Sequence, residues 1–596
     1  MLREEYSRYM AELESLPSGG ITYKKINGKE YAYYQWREEG KQRSRRIKDE
    51  ELEALQSRIE RRKEIQSFLK NIEIGENAID LSQQFRCAVR IGRELERFVR
   101  PVADWKRREC YKQLQDYIYG NVSDRVYILY GLRRTGKTTL IRQLIFNMDE
   151  EMRSRAVFIQ IQDNKQLADL HHDLKHLESE GYQYIFIDEV TLLDDFIEGA
   201  ALLSDVFAAS GMKIVLAGTD SLGFMFSEDE ELYDRCIMSH TTFIPYREFE
   251  QVLNITGIDN YIRYGGTMSP GGINYNKESA IFSTKRSTDE YVDSAIARNI
   301  QHSLKNYQYE GHFRSLSELY EKNELTNVIN RIVEDINHRF TMEVLTRDFK
   351  SNDIRISASN LRKDREKPND ILDRIDYTVV NGTLKALLEI KDKAEQKIEI
   401  LDAHRYEIKE YLDLLDFTVD IEKRWMTDFN RKELRTIFTQ PGIRFSQAEA
   451  VIKSLIQDEE FRGMSLEERK RVTERIVDEI MGRMMEDIVL LETKMARKDC
   501  EVFSLQFAIG EFDMVVFNPE DGNCEIYEIK HSTESVPQQC RHLLDEDKCK
   551  ETEFRYGKIT AKYVIYRGKT TDLKDAEPEL TENVKYLNVE EYLKSL

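Results

Sequence analysis

The sequence predicts an α/β protein built on a parallel sheet, and three features carry that expectation. Short apolar runs at Val126–Tyr130, Ala156–Ile161, Tyr184–Ile187 and Ile214–Ala217 are separated by helix-length segments. The first run leads directly into a glycine-rich turn, Gly131–Thr138, and the third ends in two acids, Asp188–Glu189. Strands that are apolar on both faces must be covered on both faces, which a parallel sheet flanked by helices provides.

A chain of 596 residues exceeds a single hydrophobic core, so roughly three to five domains are expected. Hydrophobic residues make up 40% and charged residues 33%, a globular profile rich in charged helices. A net charge of −20 argues against a surface coated in nucleic acid, although screening over about 10 Å leaves room for a local basic patch. No apolar run reaches the roughly 18 residues that span a bilayer, and MLREEYSRYM carries acids where a targeting peptide needs basic and apolar residues. A cytoplasmic protein without a membrane partner is the expectation. Seven scattered cysteines include no CxxC pair, so they read as reduced thiols.

In chain order, residues 1–70 read as a basic β-meander followed by a helix. Ile21–Lys48 holds nine Lys/Arg against three Glu, with Tyr and Trp alternating around an Asn27–Gly28 hairpin step. Aromatic faces beside basic residues suit nucleic acid, and a solvated β-surface explains them equally. Residues 71–120 read as a helical linker.

Residues 121–255 hold the main chemical signal. GLRRTGKT fits GxxxxGK[ST] at every fixed position. Gly131 and Gly136 let the backbone curl so that its N–H groups face phosphates, Lys137 reaches the β and γ oxygens, and the Thr138 hydroxyl suits Mg²⁺. Arg133 and Arg134 touch phosphate or are solvated. At 188 − 137 = 51 residues beyond the lysine, Asp188 suits Mg²⁺ through water and Glu189 suits polarising an attacking water. A fourth strand, KIVLAGTDS, ends in Thr219, Asp220 and Ser221, one of which can sense a γ-phosphate. ATP with Mg²⁺ is the ligand these residues imply.

The order GLRRTGKTTL, FIDEV, AGTDS and IPYREF (Ile244–Phe249) resembles the AAA-type and signal-transducing bacterial and archaeal ATPases over roughly residues 121–300. The resemblance implies a P-loop NTPase core that hydrolyses ATP. Its nucleotide contacts would be Gly131, Arg134, Thr135, Gly136, Lys137, Thr138, Thr139, Asp188 and Thr219, with Glu189 and Lys137 catalytic. Arg235, in YDRC, falls where such ATPases often carry a sensor or trans-acting arginine, and a surface arginine is the alternative. Assembly as a homo-oligomer would let it reach a neighbour's site.

Downstream, residues 256–339 read as a helical lid and 340–400 as a winged helix, FTMEVLTRDFK leading to a hairpin around Asn381–Gly382. Residues 401–471 read as a helical connector, and 472–596 as a separate α/β domain. That last segment opens with an amphipathic helix bearing Val472, Ile476, Ile480, Met484, Ile488 and Leu491 at helical spacing. Asp513 follows on one strand and Glu528-Ile529-Lys530 on the next. Two carboxylates can hold Mg²⁺, and a lysine can stabilise charge on a phosphodiester. This arrangement resembles the PD-(D/E)xK nuclease fold, with Glu486 in the place of its helix glutamate and Phe512 in the place of its proline. The ATPases named above often carry such a domain after a winged helix.

Asp376 with Glu389-Ile390-Lys391 makes the same pattern without the helix and reads as the wing. His172 and His176 lie one helical turn apart but have no evident third ligand, and Gln538–Gln539 read as surface residues. The functional expectation is an ATPase coupled to a nuclease-like domain acting on DNA. The alternatives are a nucleotide-dependent switch with a silent platform, and a signalling ATPase that binds only protein.

Overall fold

A computed structural model describes residues 16–63, 85–266, 296–350 and 400–596, apart from short stretches of which 225–233, 305–312 and 573–583 are the longest. The chain divides into two units, Met1–Arg86 and Cys87–Leu596. The first contains an antiparallel meander of β1 (Gly20–Ile26), β2 (Lys29–Glu38) and β3 (Lys41–Arg46). Ile26 pairs with Lys29, the register that a two-residue hairpin sets. Tyr34 lies opposite Arg45 and Trp36 opposite Arg43.

The second unit opens with a six-stranded sheet. Its strands are β4 (Ala88–Arg90), β5 (Val126–Tyr130), β6 (Ala156–Gln160), β7 (Tyr184–Asp188), β8 (Lys213–Gly218) and β9 (Cys236–His240), in the order β4-β6-β7-β8-β5-β9. All neighbours are parallel except the β4 edge. The four apolar runs of the sequence are thus the four inner strands. Of residues 71–120, expected as a linker, those described from residue 85 onward supply β4 and part of the core. Leu95, Val99, Tyr111 and Leu114 are buried beside Leu140 and Leu144 of α1 (Lys137–Asn147). Their apolar spacing was too short to declare a domain by itself.

After β9 come α2 (Tyr246–Leu253) and α3 (Ile258–Tyr264), which pack on the C-terminal half. Helices Arg314–Glu321, Leu325–Lys350 and Asp402–Leu414 share an apolar cluster with Leu132 of the glycine-rich turn. Helix Leu325–Lys350 runs through the expected boundary at residue 340, and the remainder of the expected winged helix, with Asp376, Glu389 and Lys391, lies outside the described residues.

The connector expectation for 401–471 also needs correction. β10 (Thr418–Trp425) and β11 (Lys432–Phe438) form a hairpin in an eight-stranded sheet ordered β11-β10-β12-β13-β14-β15-β17-β16. The other strands are β12 (Glu501–Gln506), β13 (Glu511–Asn518), β14 (Asn523–Lys530), β15 (Lys558–Tyr566), β16 (Thr571–Asp572) and β17 (Val584–Asn588). High charge concealed the hairpin. Glu422 pairs with Arg424 along β10 and with Lys432 across the hairpin, while Ile421 and Ile437 are buried.

The helices of this half are α4 (Pro441–Gln457), α5 (Leu466–Ala496), α6 (Glu546–Tyr556) and α7 (Val589–Ser595). α5 buries Ile476, Ile480, Met484, Ile488 and Leu491 against Met514, Val516, Tyr527 and Ile529. Each such side chain contributes roughly 1.5–3 kcal/mol of burial free energy. α6 belongs to the opposite layer, where Tyr556 packs with Cys524, Ile526 and Val564. The core of this half therefore reads helix, three antiparallel strands, helix, parallel strand.

The two halves meet at Glu492 of α5, whose Oε1 accepts from the Tyr246 backbone N–H at 2.8 Å. Burial pushes the Glu492 carboxyl from 4.5 up to about 7, partly offset by that hydrogen bond. Because its folded pKa lies above its unfolded value, its contribution to folding is complete below about pH 4.5 and is lost as pH rises through about 7. Glu492→Gln should match the wild type in thermal stability near pH 4 and gain on it steadily up to about pH 8. Melting curves over that range check the trend.

Candidate nucleotide site and C-terminal carboxylate cluster

The glycine-rich turn leaves β5 at the carboxyl end of the sheet, where ligands bind in open α/β folds. Gly131 has φ +138, and a Cβ there would lie 2.3 Å from Thr241 O, so only glycine fits. Gly136 (φ +97) turns the chain into α1, and Arg134 (φ +65) forms the bend between them. The N–H groups of Lys137, Thr138 and Thr139 open that helix and lack intrahelical partners by geometry.

Lys137 curls inside the turn, with Nζ 2.7 Å from both Gly131 O and Leu132 O. Thr138 Oγ1 donates to Asp188 Oδ2 at 2.8 Å, so the two candidate magnesium ligands from α1 and β7 meet. They are hard oxygen donors beside a fixed cation, a set that fits Mg²⁺ better than a softer metal. Glu189 takes the left-handed conformation (φ 56), and Thr219 Oγ1 donates to its Oε2 at 3.2 Å. Thr219 thus reaches the site through Glu189, while residues 220–223 lie outside the described set. Burial lowers the Lys137 ammonium to about 8 and raises the Asp188 carboxyl to about 6, the latter helped by Glu189.

Thr135 faces inward. Its hydroxyl donates to Leu132 O at 2.8 Å and lies 3.0 Å from Thr241 Oγ1, which leaves only its backbone for a phosphate. Arg235 precedes β9 at the sheet's amino end, opposite the turn, and pairs with Asp205 at 2.9 Å. Geometry removes it as a sensor for its own site. His172 lies 3.2 Å from Asp173, and among the described residues no three His, Cys, Asp or Glu side chains form a metal-binding group.

Sequence reasoning missed Arg108. This buried guanidinium bonds Glu248 Oε2 through Nε at 2.6 Å, Thr135 O through Nη1 at 2.7 Å and Phe243 O through Nη2 at 3.2 Å. It ties the turn to α2, where Glu248 is the acid of the REF segment. That segment was the one available signal; nothing local marks Arg108.

In the C-terminal sheet, β13 and β14 bring Asp513, Glu528 and Lys530 together. Lys530 Nζ lies 2.8 Å from Asp513 Oδ2 and 2.5 Å from Glu528 Oε2, and Asp513 Oδ2 also accepts the Ile529 N–H at 2.7 Å. Burial, then the neighbouring Asp513, pushes the Glu528 carboxyl up to about 8. The two carboxylates raise Lys530 against the effect of burial. Glu528 Oε1 is buried without a hydrogen-bond partner. The donors are the hard oxygens Mg²⁺ prefers, but only two carboxylates supply them.

Glu486 is a correction. Glu528 and Lys530 alternate with Tyr527 and Ile529, which pack on α5, so they face away from that helix. Glu486, on α5, is bonded to Arg435 and Arg483, each at 2.6 Å. Gln539 braces the loop after β14 through Ser532 Oγ at 3.0 Å, and Gln538 is exposed.

Residues 123–250 match the family model of an AAA domain, and residues 1–57 match a domain of unknown function, DUF6788. The first match, the strand order and the turn define the class: the chain carries an AAA-type ATPase domain. Among solved structures, the fold is similar to the Aeropyrum pernix Orc1 protein in complex with DNA, at 11% identity over 61% of this chain and 92% of that one, with a TM-score of 0.21. It is also similar to C. elegans PCH-2, at 14% identity over 35% and 60% with TM-score 0.19, and to katanin, at 15% identity over 38% and 82% with TM-score 0.20. These scores are low, so the class rests on the family match and the site. No curated protein matches the chain in sequence. No described helix is long and apolar enough to cross a membrane.

Removing one member of a buried ion pair typically costs about 3–5 kcal/mol because its partner stays charged. Arg108→Leu should show that loss in urea unfolding, and Arg108→Leu with Glu248→Leu should recover most of it. Both variants should still bind nucleotide more weakly than the wild type, because Thr135 O loses its anchor.

Proposed function

We propose that the chain binds ATP with Mg²⁺ at Gly131–Thr138 and hydrolyses it, and that this chemistry is coupled to a PD-(D/E)xK-like domain acting on DNA. The observation that carries the proposal is the Thr138–Asp188 hydrogen bond at 2.8 Å beside the enclosed Lys137 ammonium. Backbone N–H groups of the turn and the start of α1 hold the phosphate oxygens, and Lys137 neutralises the β and γ groups. Thr138 and Asp188 are the side chains that would hold Mg²⁺, which supplies charge neutralisation when bound. Glu189, steadied by Thr219, orients the attacking water.

The helix–three strands–helix–strand order and the Asp513–Glu528–Lys530 cluster support the nuclease-like reading. The second reading, a nucleotide-dependent switch with a silent platform, is favoured by Glu486, which pairs with arginines away from the cluster. DNA as a partner and assembly of several copies belong to the same proposal; in an assembly, Arg235 would act on a neighbour's nucleotide.

Phosphate release separates the parts. Glu189→Gln should retain ATP affinity and lose hydrolysis by about a hundredfold or more, in the range expected when one transition-state contact is removed. Nicking of supercoiled plasmid in Mg²⁺ or Mn²⁺ that disappears in Lys530→Ala supports the first reading. DNA binding that weakens with salt, without nicking, supports the second.

A further inference from the structure

The residue that follows the Lys530 cluster is held by the nucleotide-binding half. Asp259, in the first turn of α3, places Oδ1 3.0 Å from His531 Nε2 and accepts from Arg567 Nη2 through Oδ2 at 2.6 Å. His531 directly follows Lys530 at the end of β14, and Arg567 directly follows β15, its parallel neighbour. The two strand ends are themselves stitched together: Arg567 N–H donates to Ser532 O at 2.9 Å, and Ser532 N–H donates to Lys530 O at 2.8 Å. One carboxylate therefore grips both strand ends at the edge that carries the cluster.

The other end of this connection is the glycine-rich turn. Thr135 O is held by Arg108, and Arg108 is held by Glu248 of α2, both side chains being almost fully buried. α2 and α3 are joined by residues 254–257 and share a core in which the Tyr246 and Tyr261 rings lie 5.5 Å apart. The pair also docks on α7: Ile258 N–H donates to Glu590 Oε1 at 3.1 Å, and Lys594 pairs with Glu250 at 2.6 Å. A packed core transmits displacement instead of absorbing it. A shift of the turn on binding phosphate would therefore reach α3 and Asp259.

We infer that Asp259 is a positioning residue through which the nucleotide-binding core sets the placement of the Lys530 end of the C-terminal sheet. This rests on the proposed ATP site and on the Asp513–Glu528–Lys530 cluster. An ordinary interface ion pair is the competing reading. The Asp259 side chain is 39% exposed, and pairs of that kind add little to stability, so substitution there should leave the fold intact. A purely structural contact would not make the strand ends respond to nucleotide.

Hydrogen exchange of the full chain, with and without a non-hydrolysable ATP analogue and Mg²⁺, tests this. In the wild type, nucleotide should change exchange at Ile529, Ser532 and Arg567 on the order of fivefold or more, the lower end of ordinary site-to-site coupling. Asp259→Ala should bind the analogue with unchanged affinity and lose that response, and Asp259→Glu should restore part of it. An unchanged response in Asp259→Ala, or none in the wild type with nucleotide bound, overturns the inference. If the wild type binds no analogue in the same titration, the ATP proposal fails first and the inference falls with it. Absence of plasmid nicking leaves this readout untouched.

Discussion

A phosphate cradle must hold a strained backbone open while its amides stay free for a ligand, and the rest of this structure depends on how that is done. Here the brace is the buried Arg108–Glu248 pair, which grips the Thr135 carbonyl from outside the turn. Thr241 closes the other side, its carbonyl so close to Gly131 that no side chain could stand there. With the backbone fixed by these outer contacts, the inner surface is left to Lys137, Thr138 and the helix N-terminus. The desolvation cost of a buried Arg–Glu pair is substantial, and its geometric role explains its place better than any gain in stability.

Electrostatics inside the site follow from the same enclosure. Burial favours the neutral forms of both Lys137 and Asp188, so between about pH 6 and 8 the lysine is cationic and the aspartate anionic. The C-terminal cluster behaves differently. Lys530 lies within hydrogen-bond reach of both acids, and burial, with Asp513 beside it, pushes the Glu528 carboxyl up to about 8.

Much of the nucleotide half was legible because its chemistry is local. The turn motif, the strand ending in Asp188–Glu189 and the strand ending at Gly218–Thr219 each declare themselves within about ten residues. Arg108 did not, because its partner Glu248 is 140 residues away and no periodicity links them. Asp513, Glu528 and Lys530 were legible as alternating positions on neighbouring strands. Glu486 was misplaced because a helix glutamate at a suitable spacing says nothing about which sheet face the helix covers. β10 and β11 were lost to charge, since a hairpin at the end of a sheet displays the same polar residues that exposed helices do.

Nucleotide binding by the Gly131–Thr138 turn is the property on which every other proposed role of this chain depends. Calorimetric titration of the purified chain with ATP in magnesium buffer measures it directly, with Lys137→Ala as the control. Saturable binding in the wild type, weakened at least about tenfold by the substitution, is the result expected from losing a charge-assisted phosphate contact. Absence of binding in the wild type, or equal binding in the two proteins, would contradict it.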